Sequence, residues 1–316
     1  MTSNKKITVG TDCSGIEAPL IALDLLGQEY DHLFSSEIDR NCIKFIKRNF
    51  PPKVIYNDLK SRDIDEVPSV DLYIAGFPCQ TFSTLGLREG FDNETKGTIF
   101  FYILEYIQKK LPSVFILENV KGLLIHDKGR TFRTIIASLE SIQGYNISYK
   151  VVNTADYGLP QSRNRVYIVG SRDGIFKFPD PKHQSLRLEE ILHNLPIEDP
   201  MGRHAERLQE AIQKYPECDF LNDMWILNLN VSSIEWFSRG RKDICPCLNT
   251  YSKFYIPKLH RYLSPYEALA LQGIPWKNYD FSGFSNTALY KMAGNTMSVN
   301  VLTSILSALL FHNAIH

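Results

Sequence analysis

Over roughly the first 170 residues, apolar and polar positions follow two alternating rhythms. Ile7–Asp12 (ITVGTD), His32–Asp39, Val54–Asn57, Val70–Phe77 (VDLYIAGF), Ser113–Asn119 (SVFILEN), Ile147–Asn153 and Arg165–Arg172 (RVYIVGSR) are short segments rich in β-branched and aromatic residues. They read as strands. Val70–Phe77 and Ser113–Asn119 are apolar almost throughout, the pattern of strands covered on both faces. Between these segments, Ile16–Leu26, Cys42–Phe50, Ile99–Lys110 and Gly129–Ile142 repeat apolar residues at helical spacing. Strands alternating with helices predict an α/β fold with a doubly wound, mostly parallel sheet. Ligands of such sheets bind beyond the carboxyl ends of the strands, so the residues there carry most weight.

Past Arg172 the rhythm stops. Phe176–Pro181 is punctuated by proline, and Leu195–Tyr262 shows no strand–helix alternation. Its aromatics (Trp225, Trp236, Phe237, Tyr251, Phe254, Tyr255) are mixed with Arg239, Arg241, Lys242, Lys253 and Lys258. This segment reads as a second, smaller domain. Ser264-Pro265 starts a helix with proline at its first position, and Ser298–Phe311 is a last apolar helix. The expected division is 1–178 for the larger domain, 179–260 for the smaller, and 261–316 for a return to the larger.

Composition narrows the class. At ~150 residues per domain, 316 residues hold two domains. A hydrophobic fraction of 44% fits a folded chain rather than a disordered one. The 35 basic and 35 acidic residues cancel, which excludes a general polycation but permits a local basic groove. No apolar run approaches ~18 residues, and none follows Lys5 and Lys6, so an intracellular location is expected, in cytoplasm, nucleoid or nucleus. The scattered cysteines are expected as free thiols. Cys245-Pro246-Cys247 lacks the second pair or histidine of a zinc site, and no metal is expected.

The strand ends bring the chemistry together. The first runs into Asp12-Cys13-Ser14-Gly15-Ile16-Glu17, a turn where a ligand can approach backbone and helix N-terminus. The second ends in Glu37-Ile38-Asp39, and an acid about twenty residues after such a turn commonly binds ribose hydroxyls. A solvated strand-end acid is the alternative. Gly76-Phe77-Pro78-Cys79-Gln80 places Cys79 at the carboxyl edge, as a nucleophile or as an inert, half-buried thiol. Glu118-Asn119-Val120 ends the next strand. Gln161, Arg163 and Arg165 alternate along an extended segment and are expected to share a face. Gly294-Asn295-Thr296-Met297 is expected to open the final helix as a ligand-contacting turn.

In this order, these blocks resemble the DNA cytosine-5 methyltransferase family. Its Pro-Cys-Gln matches Pro78–Gln80, its Glu-Asn-Val matches Glu118–Val120, its Gln-x-Arg-x-Arg matches Gln161–Arg165, and its late Gly-Asn matches Gly294-Asn295. Arg261–Pro275, with Glu267 and Leu271-Gln272-Gly273, looks like the segment before it. The resemblance covers all but about residues 180–255. Three places depart from the pattern. The usual Gly-x-Gly-Gly is Gly15-Ile16-Glu17-Ala18, the usual strand-one Asp falls on Thr11 with Asp12 one place later, and Ile38 replaces an aromatic.

The resemblance implies a Rossmann-like, S-adenosylmethionine-dependent methyltransferase fold with a small target-recognition domain. It makes Cys79 the nucleophile that adds to cytosine C6. Glu118 would hold the N3 edge and exocyclic amine, its protonated form favoured by burial. Arg165 would hold O2, and Arg163 would brace the loop around Cys79. The donor, leaving as S-adenosylhomocysteine, would be held by Ser14, Gly15, Ile16, Glu37 (ribose), Ile38, Asp58 (adenine amine), Leu59, Gly76, Pro78, Asn295 and Met297. The partner would be double-stranded DNA with the target base flipped out. Residues 81–98 would close over it, Leu85 entering the vacated space. Gln80, Ser83, Arg88, Lys96, Arg239, Arg241 and Lys253 are the other DNA contacts expected, and Leu248-Asn249-Thr250 matches a short recognition signature. A monomer is expected, with a possible cognate restriction endonuclease. Two alternatives stay open: a tRNA cytosine-5 methyltransferase, whose usual Cys-Phe-Thr is not found here, and a non-catalytic DNA-binding module. A nicotinamide oxidoreductase is disfavoured by the missing three-glycine fingerprint.

Overall fold

A computed structural model describes residues 6–78, 99–182, 186–235, 240–251, 253–311 and 315. Strands β1 (Ile7–Asp12), β2 (Tyr30–Ser36), β3 (Val54–Tyr56), β4 (Leu72–Gly76), β5 (Val114–Val120), β6 (Asn146–Asn153) and β7 (Asn164–Ser171) form one sheet in the order β3-β2-β1-β4-β5-β7-β6. The pairs β2–β3, β1–β2, β1–β4 and β4–β5 are parallel, and β7 runs antiparallel to β5. Chain order reverses between β1 and β4, the switch point at which such sheets open a crevice.

Helices α1 (Ala18–Leu26), α2 (Arg40–Asn49), α3 (Ile99–Lys110) and α4 (Arg130–Glu140) connect the strands. Leu72–Ala75 of β4 and Val114–Leu117 of β5 are buried, as their continuous apolar sequence requires. On one face of the sheet, Tyr73, Ala75, Phe115 and Leu117 join Phe34, Phe100, Ile103, Tyr106, Ile135 and Leu139 in a hydrophobic core. Local signals set the helix ends. The Asp39 carboxylate accepts from the backbone N–H groups of Asn41 and Cys42 and caps α2, and Gly27 ends α1 in a left-handed conformation.

Packing divides the chain into two compact units. One comprises residues up to Val152, Arg165–Asp180 and from Leu302 onward, and the other Asn153–Asn164 and Pro181–Val301. The second unit holds α5 (Leu188–Ile191), α6 (Arg203–Lys214), a three-stranded sheet of β8 (Leu227–Asn228), β9 (Phe254–Ile256) and β10 (Arg261–Tyr262), then α7 (Pro265–Leu271) and α8 (Asn286–Asn295). Its core gathers Ala211, Phe220, Trp225, Leu227, Leu229, Ile234 and Tyr255. The Ser264 capping box starts α7 where the sequence indicates. Helix α9 (Val299–Phe311) closes the chain.

Three features differ from the sequence reading. Helix α6 was not anticipated, although Leu208, Ala211 and Ile212 pack at helical spacing. Gly294-Asn295 ends α8 rather than opening the last helix, because Thr296 at its C-cap is extended. Residues 153–164 and 261–301 pack with the second unit, whereas the sequence division places them in the larger domain. Among the described residues no single helix is long and apolar enough to cross a membrane.

Gly170 on β7 has no room for a side chain, since an added Cβ would lie 2.1 Å from the Phe115 ring. Gly170→Ala is therefore expected to destabilise the protein by about 1–3 kcal/mol in urea unfolding. Parental stability would contradict this packing.

Candidate active site

The carboxyl edge of β4 and β5 joins three of the sequence blocks. Gly76 pairs in register with Glu118, and Asn119 Nδ2 donates to Phe77 O at 2.8 Å. This fastens the segment leading to Pro78, the residue to which Cys79 is bonded. Across the antiparallel pair, Val120 lies opposite Arg165. Glu118 is two positions from Val120, hence on the same face and diagonal to Arg165. The two side chains meet there, with Arg165 Nε 3.0 Å from Glu118 Oε1 and both side chains largely buried.

Around β1 and β2 lies the turn expected to take the donor. Ser14 N donates to Ser36 O, and Gly15 N donates to Glu37 Oε2 at 2.7 Å. Glu37 Oε1 accepts from the N–H groups of Ile38 and Asp39. A carboxylate has about four acceptor positions, so a ribose hydroxyl can still be received. Gly15 has a φ of 57° and open space where a side chain would project, which leaves its backbone accessible to a ligand. Ile38 is exposed, and Asp58 is half-buried and accepts from Lys60 N. These polar acceptors and the uncovered turn fit an adenosine-bearing ligand at the switch point. Ile16 and Leu59 are buried, so their side chains serve the core.

Behind the turn lie buried charges that sequence reasoning missed. Asp12 is fully buried, and Arg62 grips it with two hydrogen bonds of 2.5 and 2.6 Å. Tyr73 donates to the same carboxylate, and Arg62 also donates to Ser36 Oγ at 2.7 Å. The guanidinium lies 5.4–5.6 Å from the ring centres of Phe34, Tyr56 and Tyr106, contacts that favour a cation. Asp12 is thus a neutralised anchor for the loop carrying Asp58 and Leu59. The one signal available in the sequence was an acid at the end of an otherwise uncharged strand.

Glu17 is also fully buried, and its backbone φ is 57°. Its Oε1 accepts from Thr11 Oγ1 at 2.9 Å and Ser35 Oγ at 2.6 Å, and among the described residues Oε2 has no partner. Burial pushes the carboxyl up to about 8 and the nearby His32 imidazole down to about 4. His32 Nδ1 faces Phe50 O, which can only accept, so Nδ1 carries the proton and Nε2 faces Ser35 Oγ at 2.9 Å.

In the second unit, the buried Arg163 guanidinium donates to Leu248 O, Gly294 O and Thr296 O at 2.9, 3.1 and 2.9 Å, and contacts Cys247 Sγ. It ties residues 247–248 to the end of α8. A Cβ on Gly294 would lie 2.5 Å from Asn249 C, so this glycine is required for close backbone approach. Gln161 also bonds Leu248, through its backbone N–H, and donates to Leu271 O. Gln161 and Arg163 therefore share a target, while Arg165 turns to Glu118. Asn295 is exposed and Met297 buried; Arg241 and Lys253 are exposed. Cys79, Gln80, Ser83, Leu85, Arg88, Lys96 and Arg239 lie outside the described residues.

With this geometry in place, the comparisons with known proteins agree. The family described as C-5 cytosine-specific DNA methylase matches residues 12–310. The type II methyltransferase M.NgoBI of Neisseria gonorrhoeae is 37% identical over 290 residues, covering 89% of this chain and 87% of its own. M.HaeII of Haemophilus aegyptius is 34% identical over 292 residues, covering 88% and 86%. The fold resembles that of the Dnmt2 methyltransferase of S. pombe, with a TM-score of 0.64 at 17% identity over 98% of this chain and 99% of that one. Entamoeba histolytica EhMeth gives a TM-score of 0.64 at 18% identity over the same shares. The fold is the doubly wound α/β sheet shared with these solved structures. The chain belongs to the C5 cytosine-specific DNA methyltransferase family.

The buried Glu17 makes a pH prediction. Between about 4.5 and about 8 the folded protein retains a proton that the unfolded chain has lost, so this group lowers stability as pH rises through that window. Glu17→Gln removes the titration. Its unfolding free energy relative to the parent, from urea titrations, should therefore increase from about pH 5 to about pH 8. A pH-independent difference would contradict a buried, neutral Glu17.

Proposed function

We propose that this chain methylates C5 of a flipped-out cytosine in double-stranded DNA, the DNA (cytosine-5-)-methyltransferase reaction, with S-adenosylmethionine as donor and S-adenosylhomocysteine as product. The observation that carries the proposal is the Glu118–Arg165 pair at the carboxyl edge, beside the strand that leads to Cys79.

Cytosine C5 is a poor nucleophile because its ring is electron-deficient. The Cys79 thiolate adds to C6: an S–C6 bond forms, and the C5–C6 π pair shifts to make C5 nucleophilic. Glu118 holds the N3 edge and exocyclic amine as charge builds up. The Arg165 guanidinium holds O2 and favours the thiolate electrostatically. When bound, S-adenosylmethionine supplies an electrophilic methyl group. A base then takes the C5 proton, and the C6–S bond breaks to return the thiolate. Arg163 acts at a distance, through the 247–248 and 294–296 segments.

Ser14, Gly15, Glu37, Ile38 and Asp58 are proposed to hold the donor with the backbone of Ile16, Leu59, Gly76 and Pro78, joined by Asn295 and Met297. Gln80, Ser83, Leu85, Arg88, Lys96, Arg239, Arg241 and Lys253 are proposed to meet DNA. Residues 1–178 and 261–316 would serve catalysis and donor binding, and 179–260 target recognition. The protein is proposed to act inside the cell as a monomer, with a cognate restriction endonuclease as its functional partner.

Labelled S-adenosylmethionine offered with duplex DNA and with tRNA separates this reading from the RNA alternative. Label is expected in duplex DNA as 5-methylcytosine, and Cys79→Ala should lower the rate by at least about a thousandfold. Label confined to tRNA, or an unimpaired Cys79→Ala, would overturn it.

A further inference from the structure

Two departures from the family pattern meet in one hydrogen bond. Thr11 stands where strand one usually ends in an acid, and Glu17 interrupts the glycine run six residues later. Thr11 Oγ1 donates to Glu17 Oε1 at 2.9 Å, so the carboxyl missing from β1 is delivered back to it from the far side of the turn. We propose that Glu17 is a positioning residue for the donor site, its carboxyl standing in for the absent strand-one acid and holding Ser14 and Gly15 in their ligand-facing arrangement. This rests on the reading of the 12–17 turn as the donor site.

The network supports the assignment link by link. Glu17 Oε1 joins β1, through Thr11, to β2, through Ser35 Oγ at 2.6 Å. Thr11 Oγ1 lies 2.7 Å from Ser14 Oγ, which also donates to Thr11 O. Gly15, next in the chain, donates to Glu37. The Glu17 backbone closes the same turn, since its N–H donates to Ser14 O and its carbonyl accepts from Leu20 and Ile21 at the start of α1. A side chain other than glycine at a φ of 57° costs on the order of 1 kcal/mol. Filling space does not explain an acid there, because a buried carboxyl with one oxygen unpartnered among the described residues is costly to bury. The ionisable groups facing it are His32 from β2, with Nε2 at 3.7 Å, and Glu37 beyond β2. Asp12 on β1 is neutralised by Arg62. Burial holds the Glu17 proton up to about 8, so the group serves as a neutral hydrogen-bonding brace at neutral pH.

The test is a swap read by calorimetric binding of S-adenosylhomocysteine to the full chain, with urea unfolding confirming that each variant is folded. Glu17→Gly and Thr11→Asp alone should each weaken binding by about tenfold or more, the loss of a buried hydrogen bond to an acid. The double change T11D/E17G returns the carboxyl to β1 and the glycine to the turn, and should recover affinity to within about threefold of the parent. A purely structural role would move unfolding midpoints without this reciprocal rescue of affinity. Parental affinity in Glu17→Gly, or a folded double variant no better than the single ones, would overturn the proposal. Should Glu17→Gly not fold, Glu17→Gln, which keeps an acceptor oxygen, is expected to bind as the parent does, and Glu17→Met, which fills the volume without one, to bind more weakly. Equal affinities for those two would overturn the proposal. An unmodified protein that binds neither S-adenosylhomocysteine nor S-adenosylmethionine would instead remove the donor-site reading itself.

Discussion

The antiparallel setting of β7 is the constraint that brings Arg165 and Glu118 to one edge of the sheet. In a wholly parallel sheet, the residues that enter a strand lie at the amino edge, away from the crevice. Because β7 runs against β5, its first residues meet the end of β5, and Arg165 arrives at the edge beside the buried Glu118. Side chains alternate across a strand, so a one-residue slip would turn one partner to the opposite face. Gly170, packed under the Phe115 ring in the same pair, is consistent with a fixed register.

On the donor side, three acids crowd the ends of two strands and are kept apart by three different means. Asp12 is buried and held by the bidentate Arg62 contact and by Tyr73. Glu17 is buried and kept neutral by desolvation. Glu37 is only half-buried, and its carboxylate oxygens accept from backbone N–H groups of the turn and of the segment after β2. Of the three, Glu37 is the one left half-exposed, in keeping with its proposed role toward ribose hydroxyls.

Much of this was legible in the sequence, and the failures have physical causes. Continuous apolar runs marked β4 and β5, because burial on both faces leaves no polar alternation to confuse the reading. The sequence blocks assigned Glu118 and Arg165 separate contacts to one base, and their contact with each other emerged only from the antiparallel β5–β7 pairing. Helix α6 was missed because its polar residues outnumber its apolar stripe and it lies in a segment dominated by aromatics and basic residues. Arg163 was assigned to the loop around Cys79, yet the carbonyls it serves belong to residues 248, 294 and 296, some 85 to 133 positions away, which no local pattern encodes. The Thr11–Glu17 exchange was visible only as two separate departures until folding put the side chains in contact.

The reaction proposed for this chain is covalent: the Cys79 sulfur bonds to the base it modifies. Duplex DNA carrying 5-fluorocytosine at the methylated position blocks loss of the C5 substituent and should trap the protein. Incubated with S-adenosylmethionine, the protein is expected to show, by denaturing mass spectrometry after nuclease and protease digestion, a nucleotide joined to the peptide that contains Cys79. An adduct on any other residue, or methylated DNA formed by a protein whose Cys79 is alkylated, would contradict it.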